Sequence, residues 1–288
     1  MKFGLMFVNA GPLGLPDTLA AVARSAEEAG IESLWTVEHV AVPVGYQSRY
    51  PYSANGRMPA PDDMPIPDPV LPLVYAAAVT TKIRLGTGVM ILPQRHPLYV
   101  AKEIATLDQL SKGRAILGIG VGWLAEEFAA VGIPFEERAA RTRESVAAIR
   151  HLWKPGATPF EGKFFRWGAL ESNPKPVQQP GVPIVVGGHT EIAARRAARY
   201  GDGFFPGSDD VELLKKLLAV LREECGKIGR DPKEIEITAA GGFGVDLDRV
   251  RRFADVGVSR LAIAPPGFDA DAVRSGLMQF ADQVISKL

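Results

Sequence analysis

The segment IRLGTGVMILPQRHPLYVAKEIATLDQLSKGRAILGIGVGW, residues 83–123, decides the fold. It begins with an aliphatic run over residues 83–89, continues with a helical pattern over 97–110, and ends with a second aliphatic run over 115–120. Continuous β-branched and aliphatic runs of this length are typical of parallel strands that are covered on both faces. The segment therefore predicts a strand–helix–strand unit of a parallel sheet.

The same alternation continues in both directions along the chain. The predicted strands are 3–8, 34–38, 83–89, 115–120, 183–186, 203–205, 234–238 and 260–264. The predicted helices are 16–29, 68–81, 97–110, 124–131, 136–153, 190–200, 210–228, 247–256 and 270–288. Eight strand–helix units favour an α/β fold of the (β/α)8 TIM-barrel type, as a single domain over residues 1–288, with an open doubly wound sheet as the alternative.

Two long segments interrupt this alternation. Residues 40–67 are rich in proline and tyrosine and follow the second strand, so they lie at the carboxyl face, where barrel enzymes build their sites. We expect this loop to close a substrate pocket with Tyr46, Tyr50, Tyr52 and Met58, the alternative being ordinary loop packing. Residues 155–180 contain a predicted hairpin, FEGKFFRWG, before the fifth strand, and we expect a structural role for them.

Composition excludes several classes of function. Lys+Arg and Asp+Glu both total 33, which gives no electrostatic reason to expect a nucleic acid or an anionic membrane as a partner. The single cysteine, Cys225, excludes an internal disulfide and cannot by itself form a thiolate metal site. No metal-ligand spacing is present, and the amino terminus lacks a signal-peptide or membrane-spanning pattern, so we expect a cytoplasmic enzyme without a metal.

Polar residues and glycines at the strand ends are the candidate site. Glu38 and His39 end the second strand; a histidine there can orient a substrate or take a proton near neutral pH, or can be held by the carboxylate for packing alone. Glycines within LGTGV indicate a bulge or a close approach of the backbone to a ligand, or close packing within the barrel. Arg95 and His96 follow at the same rim, where a guanidinium can meet an anion.

Two further glycine segments follow later strands. LGIGVGW, residues 117–123, lacks the spacing of a dinucleotide-binding fingerprint and indicates close backbone approach at a strand end. In VVGGHTEIAARR, Gly187 and Gly188 precede a helix that Thr190 caps, an arrangement that suits an anion, or is simply a short turn. Gly207 and Ser208 lie at the rim of the sixth strand.

Together these segments resemble the bacterial-luciferase-like superfamily and, within it, the coenzyme F420-dependent oxidoreductases. The resemblance rests on residues 26–39 (AEEAGIESLWTVEH), 83–123, 126–144 (EEFAAVGIPFEERAARTRE) and 183–208 (PIVVGGHTEIAARRAARYGDGFFPGS). It implies a barrel, commonly dimeric, that binds F420 or FMN at the carboxyl ends of its strands. It also implies a cis peptide at Gly88–Val89, proton transfer or cofactor contact at His39, and a phosphate held at Gly187, Gly188 and Thr190.

The implied cofactor contacts form a larger set. They are Thr87, Gly88, Val89, Arg95, Gly122, Trp123, Gly187, Gly188, His189, Thr190, Gly207 and Ser208. One departure matters: the sugar-phosphate dehydrogenases that this chain resembles carry a glutamate where Trp123 stands, so their reaction is not expected here. Trp123 would instead form an apolar wall beside the ring.

The resemblance implies hydride transfer between F420 and a small organic substrate, with His39 supported by Glu38. An FMN-dependent monooxygenase that takes reduced flavin from a separate reductase is the nearest alternative, and a non-catalytic flavin-binding protein is another. The acidic tail of F420 would meet Arg49, Arg57 and Arg95 near the mouth, although arginines of loops are usually solvated.

Overall fold

The computed structural model describes residues 1–288 and contains a closed parallel β-barrel. The strands are β1 (Lys2–Leu5), β2 (Ser33–Thr36), β3 (Arg84–Thr87), β4 (Met90–Ile91), β5 (Ala115–Gly120), β6 (Thr158–Glu161), β7 (Arg166–Leu170), β8 (Ile184–Gly187), β9 (Gly203–Phe205), β10 (Glu236–Gly241) and β11 (Arg260–Ile263). β3 and β4 are two halves of one strand, and the ring runs β1-β2-β3-β5-β8-β9-β10-β11 back to β1. The predicted TIM barrel of eight strands is confirmed, and the open sheet is excluded.

Helices alternate with these strands and cover the outside of the barrel. They are α1 (Pro16–Glu28), α2 (Leu71–Val79), α3 (Pro97–Leu110), α4 (Ala125–Ala130), α5 (Arg138–Trp153), α6 (Glu191–Tyr200), α7 (Val211–Ile228), α8 (Leu247–Asp255) and α9 (Ala270–Gln283). Aliphatic side chains of the strands and helices form one large buried cluster between the two layers. No helix combines the length and the apolar character that crossing a membrane requires. The predicted hairpin is present as the antiparallel pair β6–β7, outside the barrel.

Trp35 fills the interior of the barrel. Its side chain is fully buried, and its indole Nε1 donates a hydrogen bond to Ser33 Oγ at 2.9 Å. A Cβ atom added at Gly4 would lie 2.5 Å from Trp35 Nε1, and one added at Gly86 would lie 2.7 Å from Trp35 Cε3. Gly86 therefore leaves room for the indole ring. Of the two roles considered for the glycines of LGTGV, Gly86 serves close packing within the barrel.

A charged network closes the amino-terminal end of the barrel. The fully buried Arg260 donates to both carboxylate oxygens of Glu32 at 2.8 Å and pairs with Glu236 at 2.6 Å, and Lys2 also pairs with Glu236. Burial would raise the pKa of Glu32, but the hydrogen bonds and charge of Arg260 hold it below its ordinary value. This end of the barrel is thus occupied by ion pairs within the chain.

The long loop leaves the barrel and returns to it at a single point. Asn9 donates from Nδ2 to the carbonyl oxygens of Val37 at 2.8 Å and Pro67 at 2.9 Å, and its Oδ1 accepts from the backbone N–H of Val37 at 2.8 Å. Asn9 itself is fully buried. We call the intervening residues 38–66 the lid.

Candidate functional site at the barrel mouth

A cis peptide bond joins Gly88 to Val89, between β3 and β4, at the position that the resemblance implies. The Val89 side chain lies between two glycines of neighbouring strands. A Cβ atom at Gly120 would lie 2.6 Å from Val89 Cγ2, and one at Gly187 would lie 2.7 Å from Val89 Cγ1. Because Gly187 has no side chain, Val89 can pack against it. Packing alone therefore requires a glycine at this position, whether or not a ligand also approaches it.

His39 pairs with a carboxylate that the sequence analysis assigned no role. Its Nδ1 atom lies 3.2 Å from Glu127 Oε2, and Glu127, on α4, is fully buried. The other oxygen, Glu127 Oε1, accepts from the backbone N–H groups of Val40 at 2.6 Å and Ala41 at 3.2 Å. Glu127 thus fixes both the imidazole ring and the first residues of the lid.

These contacts determine which imidazole nitrogen can exchange a proton. Burial would raise the pKa of Glu127, but the hydrogen bond and charge of His39 and the backbone of Ala41 hold that pKa below its ordinary value. An ionised carboxylate only accepts hydrogen bonds, so Nδ1 of His39 carries the proton in this pair. In the neutral ring, Nε2 is left with a free lone pair, and it makes no hydrogen bond within the chain.

Glu38 is not the partner of His39, and the predicted pairing is wrong. Its carboxylate accepts from the backbone N–H of Ile91 and from Arg95 Nε, the latter at 2.7 Å. Burial raises the pKa of Glu38 although Arg95 opposes this effect. Successive residues of an extended segment point to opposite sides, so Glu38 and His39 turn away from each other. Glu38 therefore fastens the segment after β4, and Glu127 takes the position that the sequence analysis gave to Glu38.

Two of the predicted cofactor contacts are occupied within the protein. Arg95 pairs with Glu38 and, at 2.6 Å, with Asp68, so two carboxylates already compensate the charge of its guanidinium. Thr87 is fully buried, and its Oγ1 donates to the carbonyl oxygen of Gly118 at 2.7 Å. We correct both assignments: the two side chains hold the barrel wall together.

The two arginines of the lid are also engaged locally. Arg57 donates to the carbonyl oxygen of Tyr46 at 2.8 Å and lies 4.5 Å from the centre of the Tyr46 ring. A Cβ atom at Gly56 would lie 3.0 Å from Arg49 Nε, which places the Arg49 side chain against its own loop. The lid thus uses these arginines within its own structure, which removes the basis for assigning them to an acidic tail.

An unbroken chain of aromatic rings crosses the mouth. Trp123 lies 5.7 Å from the His39 ring, 5.4 Å from Tyr46 and 5.2 Å from Tyr50, each measured between ring centres. Tyr50 lies 5.5 Å from Tyr52, whose ring is 4.5 Å from His189, which follows β8. The lid is therefore closed over the mouth, and the role of these tyrosines in a substrate pocket stays a prediction.

Met58 and the Tyr46 hydroxyl complete this part of the lid. The backbone N–H of Met58 donates to Tyr46 Oη at 3.1 Å, and Tyr46 is 2% exposed. Tyr46 is thus a structural member of the lid, whereas Tyr52, which is 46% exposed, can be displaced at less cost.

The predicted phosphate segment lies at the amino end of α6. Gly188 has a φ of 123°, a conformation that only glycine adopts readily, and Thr190 caps the helix by accepting from the Ala193 N–H at 3.2 Å. Nδ1 of His189 is buried without a hydrogen-bond partner. The first N–H groups of a helix point outward unsatisfied, so this segment offers donors to an anion beside an imidazole that lacks a partner.

The remaining predicted contacts are glycines and one serine. Gly122 has a φ of 80°, and a Cβ there would lie 2.5 Å from Phe128. Gly207 has a φ of 65°, and a Cβ there would lie 3.1 Å from Tyr52. Ser208 Oγ accepts from the Asp210 N–H at 3.2 Å. The absence of a side chain at Gly207 thus leaves room for Tyr52 of the lid.

Phe7, just beyond β1, is a residue that the sequence analysis missed. It has a φ of 61° and is 42% exposed. A bulky residue in the left-handed region is rare and is found most often at functional sites. Phe7 therefore adds an apolar side chain at the same end of the barrel.

Glu126, next to Glu127, anchors the lid from outside. Its carboxylate accepts from the backbone N–H of Gln47 at 2.6 Å and from Ser48 Oγ at 2.6 Å. The Ser48 hydroxyl and the Gln47 backbone lower the pKa of Glu126 to about 2. Since the pKa is lowered in the folded state, this anchor is fully present above the ordinary value of 4.5 and is lost as the pH falls towards 2.

We expect Glu126→Ala to open the lid without unfolding the barrel. Trypsin should cleave after Arg49 and Arg57 about tenfold faster in the variant, because proteolysis tracks the open population of a loop. Mass spectrometry of timed digests measures this rate. Glu136→Ala is the matched control, since Glu136 is exposed and makes no ion pair. Equal cleavage of Glu126→Ala and the unmodified protein would show that Glu126 does not hold the lid.

The chain matches proteins of known sequence over almost its whole length. A family model described as luciferase-like monooxygenase matches residues 1–268. An uncharacterized protein of Mycobacterium tuberculosis is 34% identical over 278 residues, which cover 93% of this chain and 94% of that protein. The 5,10-methylenetetrahydromethanopterin reductase of Methanolobus tindarius is 29% identical over 251 residues, which cover 87% of this chain and 68% of the reductase.

Solved structures show the same architecture. The monooxygenase RslO1 from Streptomyces bottropensis superposes with a TM-score of 0.76 at 26% identity, covering 100% of this chain and 99% of RslO1. The coenzyme F420-dependent tetrahydromethanopterin reductase of Methanopyrus kandleri has a TM-score of 0.78 at 20% identity, covering 99% of each chain. The FMN complex of the oxygenating constituent of 3,6-diketocamphane monooxygenase from Pseudomonas putida has a TM-score of 0.66 at 23% identity, covering 88% of this chain and 71% of that one. The last two likenesses show the fold alone.

Proposed function

The chain belongs to the family of luciferase-like monooxygenases, and from this membership we propose that it is an oxidoreductase that binds coenzyme F420 across the barrel mouth and transfers a hydride between F420 and a small organic substrate. The observation that carries the proposal is the His39–Glu127 pair, which lies beside Trp123 under a closed aromatic lid. A buried, oriented imidazole with one free nitrogen suits proton transfer at a reaction that water must not enter.

The residues at the mouth fit a deazaflavin with a phosphate. The amino end of α6, with the unpartnered Nδ1 of His189 beside it, would hold the phosphate. Trp123 and Phe7 offer apolar surfaces to a flat ring. When bound, F420 supplies a ring carbon that accepts or gives up a hydride.

The residues of this chain would manage the proton and the water. Nε2 of His39 would take the proton from a substrate hydroxyl during oxidation, or return it during reduction. Glu127, ionised and hydrogen-bonded to Nδ1, would stabilise the charged imidazolium and keep the ring facing the mouth. Tyr50 and Tyr52 of the lid would exclude water while the substrate is bound.

An FMN-dependent monooxygenase is the second candidate, and one comparison favours it. RslO1, a monooxygenase, is 26% identical to this chain over nearly the full length of both. A monooxygenase of this kind would need reduced flavin from a partner reductase, and the phosphate segment at α6 would serve FMN equally well.

We expect the purified protein to bind oxidised F420 more tightly than FMN, as measured by fluorescence titration with each cofactor. Gly188→Ala should weaken the binding at least about tenfold, because alanine disfavours the φ of 123° and its Cβ would lie 3.0 Å from that of Ala193. Gly168→Ala, in the exposed hairpin with nothing within 4 Å of the added Cβ, is the control. Tight FMN binding without F420 binding would refute the preferred cofactor.

Stopped-flow mixing of the reduced, protein-bound cofactor with air separates the two reactions. If the enzyme transfers a hydride, the reduced cofactor should react with oxygen only slowly, on a time scale much longer than one catalytic turnover. Rapid oxidation with incorporation of oxygen into a product would instead identify a monooxygenase.

We propose a homodimer, for which the exposed apolar side chains Leu71 and Tyr75 of α2 and Tyr99 of α3 offer a surface, to be checked by light scattering. We also propose a cytoplasmic location.

A further inference from the structure

Three neighbouring loops at the barrel mouth contain no charged residue. They follow β10, β11 and β1 and comprise residues 242–245, 264–268 and 6–15. The acidic residues that end the first two loops, Asp246 and Asp269, are used as helix caps and accept from backbone N–H groups of α8 and α9, each at 2.8 Å. We call these three loops the apolar arc.

Backbone and side-chain contacts hold the loops of the apolar arc side by side. The backbone N–H of Met6 donates to the carbonyl oxygen of Ile263 at 2.9 Å, which joins the ends of β1 and β11. A Cβ atom at Gly276 of α9 would lie 2.5 Å from Pro266 Cβ and 3.0 Å from Phe243 Cζ, so the loops after β10 and β11 meet at one point. Since neighbouring strands are separated by about 5 Å, the apolar arc spans about 10 Å of the rim.

Each loop of the apolar arc presents one exposed phenylalanine. Phe7 is 42% exposed, Phe243 is 40% exposed and Phe268 is 67% exposed. Phe7 also has a φ of 61°, a conformation that is unfavourable for a bulky side chain. Neither burial nor backbone preference therefore explains a phenylalanine at this position. Exposed apolar patches and strained residues are both typical of binding sites.

The aromatic part of the lid covers a different side of the mouth. It extends from Trp123, after β5, to Tyr52, which lies against His189 after β8 and Gly207 after β9. The strands β10, β11 and β1 follow these strands around the ring, and β1 is the direct neighbour of β2, which leads to His39. A molecule on the apolar arc therefore lies on the side of the mouth next to the imidazole, and the closed lid leaves Phe7 accessible to it.

The distribution of charge around the mouth selects the kind of molecule that the apolar arc can bind. Charged and titratable side chains come from other strands, among them Glu38 and His39 after β2, Arg95 after β4, and Asp209 after β9. A phosphate or carboxylate on the apolar arc would lose hydration without gaining a cationic partner. An uncharged carbon skeleton would instead gain free energy from the removal of apolar surface from water.

We propose that the apolar arc binds the substrate, and that the substrate is an uncharged alcohol or ketone with an apolar carbon skeleton. The skeleton lies on Phe7, Phe243 and Phe268, and the oxygen atom faces Nε2 of His39. This assignment rests on the function proposed above and adds the substrate class to it.

Methyl ketones of different length and charge test the substrate class. We expect 2-hexanone to bind about 15-fold more tightly than 2-butanone, because each buried CH₂ group contributes about fourfold. In 5-oxohexanoate a carboxylate replaces the terminal methyl group of 2-hexanone, and this compound should bind at least about 30-fold more weakly than 2-hexanone. Saturation-transfer NMR titrations measure the three Kd values in the protein saturated with oxidised cofactor, with which a ketone cannot exchange a hydride.

Two single variants locate the binding surface. Phe7→Gly and Phe268→Ser should each lower the preference for 2-hexanone over 2-butanone to about threefold or less. Both variants should fold, because glycine adopts a φ of 61° without strain and Phe268 is mostly exposed. Leu110→Ser is the matched control, since Leu110 is 59% exposed at the carboxyl end of α3, away from the mouth, and this variant should keep the 15-fold preference. A general structural effect would weaken both ketones by the same factor.

Three results would overturn the assignment. They are equal Kd values for 2-hexanone and 2-butanone, binding of 5-oxohexanoate as tight as that of 2-hexanone, and an unchanged preference in both variants. In the last case, a lower molecular mass of the variants in light scattering would identify the apolar arc as a contact between copies of the chain.

Failure of the apolar arc and failure of the proposed function give different results. If the protein binds FMN and not F420, hydride transfer to F420 is refuted, and the ketone titrations in the FMN-bound protein decide on the apolar arc. If neither cofactor binds, the same titrations in the protein alone decide on it. Hydride transfer between F420 and a charged substrate, without binding of 2-hexanone, would support the proposed function and refute the apolar arc.

Discussion

His39→Ala is expected to reduce kcat by about 10²- to 10⁴-fold while leaving the Kd for the cofactor within roughly twofold. The imidazole has a single free nitrogen, Nε2, because Nδ1 is committed to Glu127, so its removal deletes the proton carrier and little binding surface. Steady-state kinetics and cofactor titration of the same preparation measure the two effects separately. If the protein is instead a non-catalytic flavin-binding protein, neither the unmodified protein nor His39→Ala will turn over a substrate.

Two companion variants sharpen this prediction. Glu127→Gln removes the charge and leaves one acceptor oxygen to be shared between Nδ1 of His39 and the backbone N–H groups of Val40 and Ala41, so kcat should fall, though less than in His39→Ala, and the pH profile of kcat should move. His151→Ala, on α5 and bonded only to Thr158 of the hairpin, should have no effect on kcat. Unchanged turnover in His39→Ala would remove the histidine from the mechanism.

Gly118→Ala is expected to destabilise the fold by at least about 3 kcal/mol, at the upper end of overpacking costs. A Cβ at Gly118 would lie 1.8 Å from the carbonyl oxygen of Thr87, a backbone atom of the adjoining strand that cannot rotate away as a side chain can. The expected fall in Tm is about 6 °C or more, and urea unfolding gives the free energy.

Gly226→Ala provides the matched control for this stability effect. Gly226 lies within α7, and nothing lies within 4 Å of the Cβ that alanine would add. Alanine is favoured over glycine in a helix by about 1 kcal/mol, so this variant should be as stable as the unmodified protein or more so. A Gly118→Ala protein with unchanged stability would mean that β3 and β5 can separate at little cost.

Local patterns predicted most of the barrel. α3, β5 and β9 have the predicted bounds, because proline, serine and glycine punctuate them in the sequence. β1 ends at Leu5, although the apolar run continues to Val8, because the backbone turns at Phe7 with a φ of 61°. Hydropathy carries no information about such a turn. The interruption between β3 and β4 was anticipated only through the family resemblance.

The site was less predictable, since its contacts join distant parts of the chain. His39 and Glu127 are 88 positions apart, whereas Glu38 is adjacent to His39 and was therefore an obvious, but wrong, partner. The doublet Glu126–Glu127 after Trp123 was visible in the sequence, but nothing local indicates that one carboxylate reaches His39 and the other reaches Gln47. Arg95 was placed correctly at the rim, yet its pairing with Asp68 depends on where the lid returns.

The double attachment of the lid through Asn9 has a consequence for how this family can diversify. Both ends of the excursion are fastened to the barrel by one buried amide, and Trp35 closes the barrel interior independently of the loop. Insertions, deletions or replacement within residues 42–66, which leave Glu38 and His39 in place, would alter which molecules are admitted while leaving the scaffold's folding untouched. New specificities can thus evolve, or be engineered, by exchanging this part of the lid.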